Sequence, residues 1–363
     1  MKRKLSFGIS LIFCLCLGLS FGLSACKPKG LQISFDKSVK NLVMFIGDGM
    51  GFNQIANSKT YFEKDKYSFD DYYVCPVTTY SKSDEITDSA AAATALATGH
   101  KANNGEVSRN EGVDFEHLMS IAQRNGKKTG IITSDRLFGA TPACYSSHAN
   151  NRGKTQTIIE CQLQSGIDVL IGETEASQAY NSYHSQFASQ GYDIANDANQ
   201  FFQMQTTKKI LANFPNMKSL HNSTMSDQAD FVQIVTKVLS LLDNPNGFCL
   251  MIEDAYVDKY SHSNQIFGAI CEVYTVSDIF EALLGFCSNR KDTVIVLTAD
   301  HETGGLQKAE SKEQVTNELY TRPGHSSADV PLYLKGISIS GYGEKIDNTD
   351  VFEICKKVVE NKK

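Results

Sequence analysis

The feature that most constrains the fold is an alternation of short apolar runs with amphipathic stretches, which begins near Asn41. The predicted strands are Asn41–Ile46, Thr129–Thr133, Asp168–Ile171, Phe248–Ile252, Thr293–Leu297 and Val330–Leu334. The predicted helices are Glu116–Arg124, Asp227–Leu242 and Phe267–Phe286, where apolar residues recur at three- and four-residue spacing. Alternation of this kind is typical of a sheet that helices cover on both faces. We therefore expect an α/β fold, a three-layer sandwich with a central, mostly parallel sheet and helices on both faces.

The N-terminal segment has the pattern of an export signal. A basic start at residues 2–4 precedes an apolar stretch that closes with Leu23-Ser24-Ala25-Cys26. Small residues directly before a cysteine resemble the bacterial lipobox, in which the cysteine becomes lipid-modified. We expect residues 1–25 to be a lipoprotein signal peptide, with Cys26 anchoring the protein to a membrane in the bacterial cell envelope. The alternatives are a retained transmembrane anchor, or an ordinary signal with an incidental cysteine.

The rest of the chain is predicted to be a short tether followed by one large domain. Residues 26–40 are polar and basic, and the domain would span residues 41–363. Within it, residues 173–225 are rich in Gln, Ser and Asn and less periodic, so loops or a small insertion are expected there. Loss of residues 1–25 removes three positive charges and no acid, which changes the net charge from −6 to −9. That balance argues against a nucleic-acid partner.

The run DSAAAATALATG predicts a helix that begins near Ser89, directly after Asp88. Alanine is the best helix former, and the start of a helix offers unpaired backbone N–H groups that favour an anion such as phosphate. A serine at this position could bind phosphate or carry it covalently. The competing interpretation is an ordinary helix cap, since Asp and Ser are common in that role.

Acids and histidines follow several of the predicted strands. They are Asp48, then Glu253, Asp258 and His262, then Asp300 and His301, while His325 precedes the last strand. In open α/β sheets, ligands bind beyond the carboxyl ends of strands, so the first three of these groups can converge. Carboxylates and imidazoles in one pocket are natural ligands of Zn²⁺. Each residue alone could be a turn residue, a cap or a surface group, but their joint occurrence at strand ends favours a metal site.

Together these residues resemble a known family. The chain is similar to alkaline phosphatases of the bacterial and animal type, from Asn41 to about Lys335. The matching motifs are GDGMG, DSAAAATALATG, ATPA followed by His148 and Arg152, E-x4-D-x3-H, TADHETGG and PGHSSADVP, and they occur in the family's order.

The resemblance implies two zinc sites around a serine nucleophile. One zinc ion would be held beside Ser89 by Asp48, Asp300 and His301. The second, on the side of the leaving group, would be held by Asp258, His262 and His325.

The resemblance also implies a phosphate clamp and a third metal site. Arg152 would grip two phosphoryl oxygens, and Glu253 and Thr141 would hold a third ion, usually Mg²⁺, which Asp48 bridges. The family has an acid or histidine where this chain has Gly139. Because glycine offers no side-chain ligand, we expect the third site to have one ligand fewer and to bind Mg²⁺ weakly.

The activity implied is hydrolysis of phosphate monoesters through a phosphoserine intermediate, with release of inorganic phosphate and a rate that rises into alkaline pH. The resemblance points to a homodimer. Two alternatives stay open: a phosphodiesterase of the same superfamily, and a non-catalytic lipoprotein that binds phosphate or metal.

Overall fold

A ten-stranded sheet forms the centre of the computed structural model, which describes residues 30–173, 178–205, 208–214 and 230–361. The strands are β1 Gln32–Phe35, β2 Asn41–Gly47, β3 Tyr73–Thr78, β4 Arg109–Asn110, β5 Val113–Asp114, β6 Lys128–Thr133, β7 Val169–Glu173, β8 Tyr192–Ala195, β9 Lys209–Phe214, β10 Phe248–Asp254, β11 Thr293–Thr298, β12 Glu302–Thr303, β13 His325–Ser326, β14 Val330–Lys335, β15 Ile337–Ser340 and β16 Ile346–Asp347. The helices are α1 Phe52–Phe62, α2 Ser89–Thr98, α3 Leu118–Arg124, α4 Ala140–Cys144, α5 Thr155–Gln164, α6 Gln178–Asn181, α7 His184–Ser189, α8 Ala198–Gln203, α9 Phe231–Leu242, α10 Tyr256–His262, α11 Ile266–Phe286 and α12 Asn348–Val359.

The sheet is parallel over most of its width. Its strand order is β16-β3-β14-β11-β2-β10-β6-β7-β9-β8, and every neighbouring pair from β11 to β8 is parallel. Strand β14 runs antiparallel to both β11 and β3. All seven residues of β2 are buried, as expected for a strand covered on both faces.

Helices pack on both faces of this sheet. Helix α12 packs against β2, α2 and α3, whereas α11 packs against α1, α9 and α10. Helix α3, which packs with α12, and helix α9, which packs with α11, both contact β6. The predicted α/β class, with a mostly parallel sheet between helices, is therefore confirmed.

The predicted strands and helices are present, with ends that differ by a few residues. Helix α9 begins at Phe231, with the Asp230 carboxylate accepting a hydrogen bond from the Gln233 N–H at 3.1 Å. Residues 227–229 of the predicted helix lie outside the described residues.

Two segments contain more regular structure than their composition indicates. Strand β1 lies in the segment predicted to be a tether and pairs antiparallel with β15. In the segment 173–225, where loops or a small insertion that decorates the sheet are expected, strands β8 and β9 extend the main sheet. Five of the six residues of Lys209–Phe214 are buried, so burial of this run favours its pairing with β7.

The register of the central strands brings the polar residues to one edge. Glu253 of β10 lies opposite Ile46 and Thr133, and Thr298 of β11 also lies opposite Ile46. The residues that follow β2, β10 and β11 therefore leave the sheet at the same edge. No helix within the described ranges combines the length and apolar character needed to cross a membrane.

Candidate active site

Helix α2 places Ser89 at its first position. The Asp88 carboxylate caps the helix by accepting a hydrogen bond from the Ala91 N–H at 2.9 Å. All ten residues of α2 are buried, and Gly99 ends the helix with φ of 73°, a conformation that favours glycine. The Ser89 Oγ lies 3.2 Å from the His301 Nε2. The predicted helix start is therefore confirmed, and its serine faces the strand-end histidine.

The first acid–histidine group consists of Asp48, Asp300 and His301, all buried. The His301 Nε2 lies 3.6 Å from the Asp48 Oδ1 and 3.3 Å from the Asp300 Oδ2. Neither of those carboxylate oxygens makes a hydrogen bond of good geometry to any described residue. Buried oxygens without such partners are costly unless a cation meets them, so this group fits a metal ion.

The second acid–histidine group consists of Asp258, His262 and His325. The two histidine Nε2 atoms lie 3.1 Å apart, at 3.4 and 3.5 Å from the Asp258 Oδ1. Each Nδ1 faces a backbone carbonyl, that of Pro323 for His262 at 2.7 Å and that of Thr87 for His325 at 2.8 Å. Nδ1–H donation to a carbonyl leaves the Nε2 lone pair for a metal, which is how ligating histidines are usually oriented.

The two groups adjoin each other through their histidines. The rings of His301 and His325 stack with centroids 3.5 Å apart. Thr303 also joins the two groups, because its Oγ1 donates to the Asp258 Oδ1 and lies 3.2 Å from the His301 Nδ1. Close packing is also needed at Gly49, where φ is 76° and an added Cβ would lie 2.7 Å from the Asp258 Cα.

The electrostatics of the two acid–histidine groups favour a bound cation. Burial, followed by the charges of Asp300 and Asp258, raises the pKa of Asp48 well above its usual value. Burial and the charge of Asp258 raise the pKa of Asp300 to about 6. Burial and then the charge of His325 lower the pKa of His301. A bound cation would stabilise the ionised acids and the neutral histidine together, as metal ligands require.

The residues assigned to a third site also come together. Glu253 is the next-to-last residue of β10, and its carboxylate accepts a hydrogen bond from the Thr133 hydroxyl. Burial, followed by the charge of Asp135, raises the pKa of Glu253 to about 8. The Thr141 hydroxyl faces Glu253 from α4 but makes no hydrogen bond of good geometry to any described residue. This set offers only oxygen atoms, which is the donor type that Mg²⁺ prefers.

Gly139 does not border an open gap. A Cβ built on Gly139 would lie 2.7 Å from the Asp135 Oδ2, so a neighbouring carboxylate already lies where a side chain would begin. Asp135 is itself paired with Lys259 of α10. Neither residue is indicated by the sequence motifs.

Arg152 lies beside the helix that carries Ser89. Its Nη1 donates to the Asp88 Oδ2 at 3.1 Å, and its backbone N–H donates to the Gly105 carbonyl at 2.7 Å. The side chain is 41% exposed, so the guanidinium has access to a ligand from solvent. Asp88 therefore serves as helix cap and as the partner of Arg152.

Thr303 is a site residue that the sequence could have indicated. It lies two residues after His301 in the TADHETGG motif. Asp135 and Lys259 could not be found in this way, because the contact between them depends on how β6 and α10 meet.

Comparisons with known proteins agree with this arrangement. A family model described as alkaline phosphatase matches residues 39–174 and 178–322. Alkaline phosphatase 3 of Bacillus subtilis is 28% identical over an alignment that covers 93% of this chain and 74% of that protein. Alkaline phosphatase 4 of the same organism is 28% identical, and the match covers 74% of this chain and 62% of that protein.

Solved structures show the same fold. The cold-active alkaline phosphatase of a Shewanella species superposes with a TM-score of 0.78 at 23% identity, covering 88% of this chain and 99% of that chain. The alkaline phosphatase of the Antarctic bacterium TAB5 gives a TM-score of 0.74 at 23% identity, covering 91% and 99%. A variant of the TAB5 protein, with a histidine replaced by glutamate, was solved with Mg bound in its M3 site.

The fold is of the α/β class, with a mostly parallel central sheet. At the edge where its strands end, the fold brings together acids and histidines of the kind that bind metal ions, and a serine at the start of a capped helix. The chain belongs to the alkaline phosphatase family. The prediction of an alkaline phosphatase enzyme is confirmed at the level of the family.

Proposed function

We propose that this protein hydrolyses phosphate monoesters through a phosphoserine intermediate on Ser89 and releases inorganic phosphate. The observation that carries the proposal is the position of the Ser89 Oγ, 3.2 Å from the His301 Nε2, at the start of a buried helix. A nucleophile, an anion-favouring helix end and two acid–histidine groups meet at this point.

The chain's own residues fit both halves of the reaction. In the first, the Ser89 Oγ bonds to phosphorus while the bond from phosphorus to the ester oxygen breaks, and the proton lost by serine is balanced by one taken up by the ester oxygen, which leaves as an alcohol. In the second, the oxygen of water bonds to phosphorus, the Ser89–phosphorus bond breaks, and one proton of the water passes to the Ser89 Oγ. Arg152, fixed by Asp88, would hold two phosphoryl oxygens through its planar guanidinium.

The metal ions proposed for this reaction fit the donor sets. Asp48, Asp300 and His301 would hold one Zn²⁺, Asp258, His262 and His325 a second, and Glu253, Thr141 and Asp48 a Mg²⁺. When bound, a metal pair stabilises the entering and leaving oxygens of a displacement at phosphorus.

A parallel assay of two esters tests the proposal. Soluble protein that begins after Cys26 and is loaded with zinc is given p-nitrophenyl phosphate or bis-p-nitrophenyl phosphate, with and without EDTA. We expect the monoester to be cleaved faster, the activity to disappear with EDTA, and Ser89→Ala to lack it. Ser189→Ala removes an exposed hydroxyl on α7 and serves as the matched control.

The alternatives give different results in the same assay. Faster cleavage of the diester would support a phosphodiesterase that uses the same centre. Bound zinc without turnover of either ester would support a binding lipoprotein instead.

We also propose that the protein is exported and anchored by a lipid on Cys26, at the periplasmic or surface side of the envelope. The support is the sequence pattern Leu23-Ser24-Ala25-Cys26, which lies outside the described residues. Metabolic labelling with a radioactive fatty acid should mark the wild type and not Cys26→Ala. Equal labelling of both would contradict the proposal.

A further inference from the structure

The starting observation is the occupied space next to Gly139. A Cβ at this position would lie 2.7 Å from the Asp135 Oδ2 and 2.9 Å from the Arg136 carbonyl oxygen. Real Cβ atoms essentially never approach other heavy atoms so closely. The Asp135 carboxylate and a side chain at residue 139 therefore cannot both occupy this space. In this chain the Asp135 carboxylate occupies it.

Hydrogen bonds fix the backbone of Asp135 relative to Glu253. Its backbone N–H donates to the Thr133 Oγ1 at 2.8 Å, and the same hydroxyl donates to the Glu253 carboxylate. Its carbonyl accepts from the Glu173 N–H at 2.7 Å. One threonine hydroxyl thus links the backbone of Asp135 to the carboxylate of the third site.

The two oxygens of Asp135 have different surroundings. The Oδ1 is paired with the Lys259 ammonium, and the Arg136 Nε lies 3.5 Å from it. The Oδ2 is the atom that approaches the Cβ position of residue 139. The side chain is 14% exposed, so its negative charge is largely removed from water.

We infer that Asp135 supplies a carboxylate to the third cation site, in place of a side chain at residue 139. The inference rests on the proposed function, because this site belongs to the same metal centre. Mg²⁺ is held through one or two carboxylates and keeps several waters, so a carboxylate on this side can act directly or through water. Strong Mg²⁺ binding follows, instead of the weak binding expected from Gly139 alone.

The competing explanation is that Asp135 only forms a structural ion pair with Lys259. The two explanations differ in one measurable property, the affinity of the folded protein for Mg²⁺. Asp135→Asn keeps the shape of the side chain and removes its charge. Gly139→Ala leaves the carboxylate intact and adds a methyl group that would collide with the Asp135 Oδ2 and with the Arg136 carbonyl oxygen.

Calorimetric titration with Mg²⁺ tests the inference on protein that already holds two Zn²⁺ per chain. The wild type should bind one further Mg²⁺ per chain. Asp135→Asn should weaken that binding by about 10–100-fold, the range seen when groups that support a metal site are removed. Zinc content and melting temperature, measured on the same samples, should stay close to those of the wild type.

Gly139→Ala should weaken Mg²⁺ binding in the same direction, because the added methyl group displaces the Asp135 carboxylate. Asp71→Asn removes an exposed acid and is the matched control. Unchanged Mg²⁺ affinity in Asp135→Asn, or no Mg²⁺ uptake by the wild type, would each overturn the inference. The titration needs no turnover, so an inactive protein that binds Mg²⁺ as described would refute only the proposed function.

Discussion

The two acid–histidine groups are adjacent but differ in burial and charge. The side chains of Asp300 and His301 in the first group are fully buried, whereas the side chain of His262 in the second group is 42% exposed. The first group has two acids and one histidine, and the pKa of both acids is raised, mainly by burial. In the second, burial of Asp258 opposes its ionisation, but its histidine neighbours hold its pKa below the usual value.

This difference follows from where each group comes from in the fold. Asp48 and Asp300 follow two central strands, β2 and β11, which are buried on both faces. Asp258 and His262 lie one turn apart on the short helix α10. Under the proposed function, the enclosed group would lie beside the nucleophile, and the more open group would leave room for leaving groups of different shapes.

The largest expected effect comes from the enclosed group. Asp300→Ala removes a buried ligand that no water can easily replace, and it should lower kcat/KM by at least about 10²–10³-fold, the scale seen when a charge-stabilising group is lost from a reacting centre. Excess zinc should not restore the activity. Steady-state kinetics with increasing zinc measures this, and Asp71→Ala is the exposed control. Recovery to near the wild-type rate would show that the groups are equivalent.

A smaller effect is expected from the open group. His262→Ala leaves Asp258 and His325 in place, and its exposed position lets water take the vacant coordination position. Zinc affinity should fall by more than about 100-fold, beyond the range for supporting residues. Activity should nevertheless return in part when zinc is added. The check is a zinc titration of activity, and a loss as irreversible as that of Asp300→Ala would contradict the comparison.

The Thr303 hydroxyl, which links the two groups, should have a smaller effect than either group. Thr303→Val removes the hydroxyl that contacts Asp258 and His301, and zinc affinity should fall by about 10–100-fold, as for other supporting partners. Thr303→Ser keeps the hydroxyl and should retain most of the affinity. Zinc competition with a chromophoric chelator measures both variants. Equal affinities of Thr303→Val and the wild type would show that the hydroxyl has no such role.

The smallest effect concerns the stability of the metal-free protein. Glu253 and Asp300 have a folded-state pKa of about 8 and about 6, above the values of unfolded Glu and Asp. At these two carboxyl groups the folded state therefore binds more protons than the unfolded state between about pH 4 and 8, and their contribution to the free energy of unfolding falls as pH rises through this range.

Thermal unfolding of the metal-free and metal-loaded protein checks this sign. The melting temperature of the metal-free protein should be higher at pH 6 than at pH 8. The metal-loaded protein should show the opposite trend, because its ligands bind metal in their deprotonated form. A metal-free protein that becomes more stable towards pH 8 would contradict the electrostatic account.

Much of this centre could be predicted because its signals are local. Apolar runs mark β2, β10 and β11, and the acids that follow them must leave the sheet at one edge. The spacing of Asp258 and His262 places both on one helical turn. These inferences need only periodicity and the geometry of parallel sheets.

The remainder depends on contacts between distant segments. The pairing of Asp135 with Lys259, and its position in the space beside Gly139, arise where β6, α4 and α10 meet. The addition of β8 and β9 to the sheet is likewise a matter of pairing, which composition rich in Gln, Ser and Asn does not reveal. Sequence motifs thus identify the residues that gather at the edge of the sheet better than they identify the neighbours that tertiary contacts add to them.

The central claim is that Ser89 carries the phosphoryl group between the two acid–histidine groups. The most direct test is to mix zinc-loaded protein with a ³²P-labelled monoester, quench in acid and map the labelled peptide. The account predicts label on Ser89 in the wild type and no label in Ser89→Ala. Turnover with label on another residue, or with undiminished label in Ser89→Ala, would contradict it.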